Sequence, residues 1–312
     1  MTSGQAVIKR KTKSRYWQSC ICLALSILMV AFGEEMKDSI RSSIVYCGTT
    51  ILPTLFPFFV ISDLWSAYYY VDPNGRISKC FERLFGISGY ALSAVMCGLI
   101  CGFPVGVKFS VELYNRGVIS RDELERLCGL VNNPSLAFVI SGIGSGILGS
   151  IRSGILLYIS VALSTACVAL LFRKKNKRSK NTGYNIGQSF VLAESIGYAG
   201  ISSAKICSFI IFFSGIIGLM SSFINHAPAL ALISAFLEVS NAVKMIGALP
   251  LFTYQAKLIF IAFALGFSGL SVHLQAFSFL PPEVSRGKYL FMKIIQGCVS
   301  AVIMLIHLIS IK

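Results

Sequence analysis

The chain has 312 residues, 55% hydrophobic and 13% charged, with a mean hydropathy of +0.73; this composition belongs to polytopic membrane proteins and leaves no room for a soluble catalytic domain. The formal charge of +15 is not a nucleic-acid signature, because the basic residues collect at the ends of apolar runs instead of alternating with aromatics on one solvated face. The 10 cysteines, Cys80 in a polar stretch apart, lie in or beside apolar segments without metal spacing, which argues against a disulfide framework or a zinc site.

Charge-free runs occur at 16–33, 42–62, 84–107, 127–151, 153–172, 206–237, 258–282 and 294–311, each long enough to span or dip into a bilayer. Lys9, Arg10, Lys11, Lys13 and Arg15 precede the first run, which reads as a retained signal anchor with residues 1–15 in the cytoplasm. The dense basic block at 173–180 belongs on the same side. Five apolar runs lie between the two blocks, so one of them must enter and leave on one side.

The run at 84–107 is that one. Gly98, Gly102, Pro104 and Gly106 interrupt any continuous helix late in it, since glycine permits a tight reversal and proline removes a donor. The expectation is a re-entrant hairpin over 84–117 with its tip at 102–106. An inward arm from Ser88 to Cys101 descends on the order of 20 Å, to mid-membrane. Lys108 follows the tip directly. Either it adds a full charge to a half-helix dipole and favours a carboxylate or phosphate, or it snorkels to the cytoplasmic surface.

Gly117 closes the return arm, and Ser120-Arg121-Asp122-Glu123 has the form of a capping box opening a short charged surface helix. The chain then re-enters at Leu127 and meets Asn132-Asn133-Pro134-Ser135, which predicts a broken helix over 127–149; capping at the membrane surface is the alternative.

After the second basic block the order of elements begins again. A polar lead-in at Glu194-Ser195-Ile196 precedes a long apolar run, then a second hairpin over 228–250 whose tip is Glu238-Val239-Ser240-Asn241. Glu238 must be protonated, paired or cation-bound unless it reaches the surface, and pairing with Lys108 is one solution. A second broken helix is expected over 255–276. Its middle, Gly266-Phe267-Ser268-Gly269-Leu270-Ser271-Val272-His273-Leu274-Gln275, combines helix-weakening glycines with four side chains that need partners at that depth. An unbroken helix with small packing residues is the alternative.

Two units of 16–151 and 152–293 follow, with a final transmembrane helix at 294–312. The segment after the first span is acidic in one unit (Glu34, Glu35, Asp38) and basic in the other, so the units are inverted. The fold class is all-α and polytopic, with two inverted repeats carrying re-entrant hairpins and broken helices. Four backbone breaks then meet near one midplane point, where helix N-termini attract anions and free carbonyls attract cations. The substrate-binding candidates are Gly102, Pro104, Gly106, Lys108, Asn132, Asn133, Ser135, Glu238, Ser240, Asn241, Ser268, Gly269, Ser271, His273 and Gln275. No nucleophile triad, Walker loop, zinc motif or cofactor motif appears, so a carrier is favoured over an enzyme. A coupling ion, proton or sodium, and a homo-oligomer are left open. A non-transporting membrane scaffold is the competing class.

Gly102-Phe103-Pro104-Val105-Gly106-Val107-Lys108, the Arg-Gly-x-Ile-Ser at Arg116 to Ser120, Asn132-Asn133-Pro134-Ser135 and the Gly266 to Gln275 string together resemble one family, the YlbJ-type sporulation integral membrane proteins of the nucleoside-recognition, or Gate, superfamily. The likeness runs from about residue 17 to 310 in matching order. It implies hairpins and broken helices similar to those of concentrative nucleoside transporters. It also implies a role in endospore formation, moving dipicolinic acid, a planar dianion, across the outer forespore membrane. A nucleoside or other small metabolite is the alternative cargo.

Overall fold

The computed structural model describes residues 3–68, 72, 75–174 and 192–310; most of the second basic block, 175–180, lies outside the described residues. Helix α1 (Ser3–Ala31) meets α2 (Gly33–Tyr46) at a bend of 89° around Phe32. Glu34 and Glu35 in the first turn of α2 complement its positive end. A π-helical stretch (Cys47–Ile51) joins α2 to α3 (Leu52–Tyr68) without interruption. Pro53 supplies no N–H and its ring crowds the carbonyl four residues back, which accounts for the opened register there.

Helix α4 (Arg76–Phe85) stops at Gly86, whose φ of 63° is left-handed; it carries Cys80, so the polar stretch around that cysteine is helical. The first hairpin follows as α5 (Leu92–Ile100) and α6 (Val105–Asn115), turning through a cis Phe103-Pro104 peptide. Its return arm ends as expected at Gly117, with the Gly117 N–H on Tyr114 O at 2.8 Å and the Val118 N–H on Leu113 O at 2.9 Å.

Ser120 caps α7 (Arg121–Val131), its hydroxyl accepting from the Glu123 N–H at 3.3 Å. The Glu123 carboxylate does not close the reciprocal half of the box. It accepts instead from the Ser88 N–H and ties α7 to the mouth of the hairpin. The separate surface helix and re-entering span expected here are therefore one helix, polar at its start and buried at 123–125 and 127–131. Residues 132–135 then leave helical geometry, and the chain resumes through a π-helical stretch (Phe138–Ser145). Helix α8 (Ile151–Leu171) packs on that stretch where a Cβ on Gly144 would stand 2.6 Å from the Gly154 Cα.

Helix α9 (Leu192–Ser221) absorbs the polar lead-in and the apolar run into one 30-residue helix, packed along α2 and α3. The second hairpin is α10 (Ala227–Leu237) and α11 (Val239–Ala248), and the second broken helix is α12 (Tyr254–Phe267) with α13 (Gly269–Phe277). The sequence of hairpin then broken helix thus occurs twice. Helix α14 (Arg286–Ser310) lies against α12, α8 and α7.

Among the described residues, four helices can cross a membrane by length and composition, and up to six if each bent pair counts as one span. The exposed faces agree. On α8, Ile151, Ile155, Ile159 and Leu163 recur every fourth residue and all face outward. On α14, Phe291, Ile294, Val302, Leu305 and Ile309 are exposed while Tyr289, Lys293, Gln296 and Ser300 are buried. That is the reverse of a soluble helix and fits a lipid surround.

Candidate functional site

Each hairpin tip lies on the broken helix that follows it. At the first, a Cβ on Gly102, whose φ is 78°, would stand 2.4 Å from the Ser135 nitrogen, and the Phe103 N–H donates to Asn133 O at 2.7 Å. Behind the tip, a Cβ on Gly106 would meet the Gly98 Cα at 2.7 Å and the Val131 carbonyl at 2.6 Å. Glycine is what allows the two arms and the end of α7 to approach so closely. At the second, Ser268 and Gly269 take φ of 79° and 77° in succession, and a Cβ on Gly269 would lie 3.3 Å from the Glu238 Cα. Ser268 holds a strained backbone conformation that few non-glycine residues adopt, which marks the position as fixed by its surroundings.

The tips and the first break border one cavity of about 20 Å³, lined by Cys101, Phe103, Ser135, Phe138 and Ser240, and closed by Ile51, Leu55, Phe59, Ile206 and Ile210 of the long helices. A space of this size takes about one water. The helix resuming after the first break points its start here, with the Ser135 hydroxyl accepting from the Phe138 N–H at 3.2 Å.

Glu238 is 1% exposed and caps α11, its two carboxylate oxygens accepting from the N–H groups of Ser240 at 3.0 Å and Asn241 at 2.7 Å. The pairing with Lys108 is not what the structure contains. Lys108 lies on the exposed side of α6, its ammonium 4.9 Å from the centre of the Tyr198 ring, because one residue of helix turns it about 100° from buried Val107. Asn241 donates to the Ser214 hydroxyl of α9 at 2.6 Å. Pro104 precedes the first turn of α6 as its N-terminal flank. Ser271 and Gln275 are buried on α13, and the Ser271 hydroxyl and the Gln275 carbonyl oxygen find no hydrogen-bond partner among the described residues.

Behind the first break lies a buried polar cluster in which Asn132, Asn133 and His273 meet four residues that were not among the candidates: Thr165, Tyr289, Lys293 and Gln296. The Lys293 ammonium donates to Asn132 O at 2.8 Å and to Gln296 Oε1 at 2.6 Å. Gln296 Nε2 donates to Asn133 Oδ1 at 2.7 Å and to the Thr165 hydroxyl at 2.9 Å. Asn132 Nδ2 donates to the Tyr289 hydroxyl, which lies 3.0 Å from His273 Nδ1. Asn133 Nδ2 donates to one of the last carbonyls of α7, Leu130 O, at 2.6 Å. Both breaks are therefore joined through α14. The readable signal was the spacing of Tyr289, Lys293, Gln296 and Ser300, which places four polar groups on one side of an apolar helix.

Outside this buried region, Glu125 of α7 accepts from the Lys288 ammonium at 2.8 Å and the Ser285 N–H at 3.2 Å. Burial pushes its carboxyl up, but these donors and Arg121 outweigh that and hold it below the usual carboxylate range.

No family model matches the chain, and no solved structure matches it. Among curated proteins, the sporulation integral membrane protein YlbJ of Bacillus subtilis (strain 168) is 24% identical over 328 aligned positions, which cover 91% of this chain and 80% of that protein. Hairpins, breaks and polar motifs here are thus carried by a chain that is similar, over nearly all of its length, to a sporulation integral membrane protein of the YlbJ type.

Proposed function

We propose that the protein is a secondary transporter or facilitator of a small planar anion, built from two inverted units, 16–151 and 152–293, whose hairpins and broken helices carry the substrate between the two sides of the membrane. The observation that carries this reading is the convergence of both hairpin tips on one cavity, with Phe103 and Ser135 on one side and Ser240 on the other. Backbone that leaves helical geometry inside a membrane needs protein or a water-lined path beside it, and paired breaks at one depth are the usual architecture of a carrier site. At about 20 Å³ the cavity is closed to any metabolite, so transport requires the tips to part from α3 and α9.

Anion preference is supported by Lys293 rather than Lys108. Lys293 is fully buried behind the first break and, among the described residues, has no carboxylate within ion-pair distance, whereas Lys108 is exposed. An uncompensated positive charge at that depth draws a negative cargo. The resemblance of the motifs supplies the identity of that cargo as dipicolinate, and the outer forespore membrane as the place.

The test is uptake of labelled dipicolinate into vesicles containing this protein alone, with uridine as competitor. Saturable uptake insensitive to uridine is the expected result. Uptake abolished by uridine would assign a nucleoside carrier, and the absence of any flux from correctly folded protein would assign a membrane scaffold instead.

A further inference from the structure

We infer that Lys293 is the proton-binding site that couples the anion's movement to a proton. The inference rests on the transport reading above and names what would drive it.

Lys293 lies about 10 Å along α14 from Arg286, too deep and too enclosed to snorkel, at 0% exposure. Its amino group makes two hydrogen bonds, to Asn132 O and Gln296 Oε1, and both are available whether it carries three hydrogens or two. A proton can therefore arrive and leave without dismantling the cluster. The cluster itself is closely packed, and none of its members lines the cavity between the tips. A proton is the ligand that needs no volume.

The groups facing Lys293 leave its charge uncompensated. From its own helix come Tyr289 and Gln296, the latter accepting its hydrogen bond, while Lys288 lies on the exposed side of the helix and is engaged by Glu125. From α7 come Cys128, packed in the same core as Tyr289, and Glu125, which is occupied by Lys288, Arg121 and the Ser285 N–H. From α13 comes His273, whose Nδ1 meets the Tyr289 hydroxyl and whose Nε2 is buried without a partner among the described residues. From α8 comes Thr165, and α12 presents Leu265 and Gly266, the latter against the Gln296 backbone. None of these is a free carboxylate.

The break at 132–135 is the physical link between this charge and the cavity. Asn132 O and Asn133 Oδ1 face Lys293 and Gln296, while Asn133 O holds the Phe103 N–H of the tip and Ser135 lines the cavity. An anion seated at Ser135 and an ammonium at Lys293 stabilise one another across four residues of backbone in a medium of low dielectric. Linkage then requires that anion binding raise proton occupancy, and that a proton raise anion affinity by the same factor. The pair travels as one anion with one proton.

The experiment uses purified full-length protein in vesicles, with labelled dipicolinate as probe. For the wild type, with the membrane potential clamped at zero because the dianion and its proton carry one net negative charge, external acidification by one pH unit should drive about tenfold accumulation, and adding dipicolinate to weakly buffered protein should make the medium more alkaline. In Lys293→Gln, which lacks the charge that draws the anion, half-saturation of counterflow should rise about tenfold, exchange remaining measurable at saturating substrate, while accumulation falls to the level without a gradient. Counterflow itself reports that the variant is folded. Lys293→Arg, permanently charged, should likewise exchange but not accumulate. Unchanged gradient-driven accumulation in either variant would overturn the inference, as would anion binding by the wild type without proton uptake. Absence of wild-type counterflow would instead overturn the transport reading on which the inference stands.

Discussion

Gly102 at the tip of the first hairpin rests directly on Ser135 in the first break, so closely that a Cβ on the glycine would stand 2.4 Å from the serine nitrogen. Gly117, at the far end of the same hairpin, has a similar φ of 70° but nothing within 4 Å of the place a Cβ would occupy. The two glycines separate backbone strain from collision. Gly117→Ala should cost about 1 kcal/mol, the left-handed penalty alone, whereas Gly102→Ala should cost about 3 kcal/mol or more because the break must also shift. Unfolding in detergent measures both, and equal losses would mean the tip is not seated as described.

Glu238 answers two orphan donors at the start of α11 with one carboxylate. Replacement by Ala should destabilise by about 2 kcal/mol, since both donors lose their partner in a buried position. Asp, which can still cap, should recover more than half of the loss. If Asp were as damaging as Ala, the role of Glu238 would lie outside capping.

The Tyr289 hydroxyl stands between Asn132 and His273. Tyr289→Phe should cost about 2 kcal/mol by leaving both partners unpaired. A cycle with His273→Leu should be non-additive, because the second change removes one of the groups that the first strands. Additive losses in denaturation would show that the two rings do not share a bond.

Glu125 gives the molecule an acid dependence of its own, through its bonds to Lys288 and Ser285. Its folded value is depressed, so its stabilising contribution is complete above the ordinary carboxylate value of about 4.3 and is lost as pH falls through the lower, folded value. Glu125→Gln should therefore lower stability by about 1–3 kcal/mol at neutral pH and converge on the wild type in strong acid. A gap between the two that stays constant from neutral pH to about pH 2 would refute the assignment.

The hairpins and breaks were legible because their causes are local. Glycine and proline at 102–106, the capping Ser120 and the paired carboxamides at Asn132 and Asn133 each impose backbone geometry whatever surrounds them. The polar cluster was not. A span defined by freedom from charge must end where a lysine occurs, so the final helix was expected from 294, with Lys293 at its edge. The structure starts that helix at Arg286 and turns Lys293 inward. Lys108 stayed between two readings, anion-binding or surface-reaching, because its position after a tip was readable but the rotation of α6 against its neighbours, which exposes it, was not. Likewise the six residues from Arg121 to Arg126 looked like an element of their own, because charge ceases at Arg126 although the helix does not.

The cavity has unlike walls, and the difference has a mechanical meaning. On the tip side, backbone meets backbone at Gly102 and Gly269, so each hairpin and its broken helix form one stiff clamp. On the other side, Ile51, Leu55, Ile206 and Ile210 offer smooth aliphatic surface, with Asn241 to Ser214 and Lys244 to Ser42 as polar fastenings across the join. Sliding along oil costs little and such fastenings can be remade. If the protein is the carrier proposed above, the seam beside α3 and α9 is where it slips.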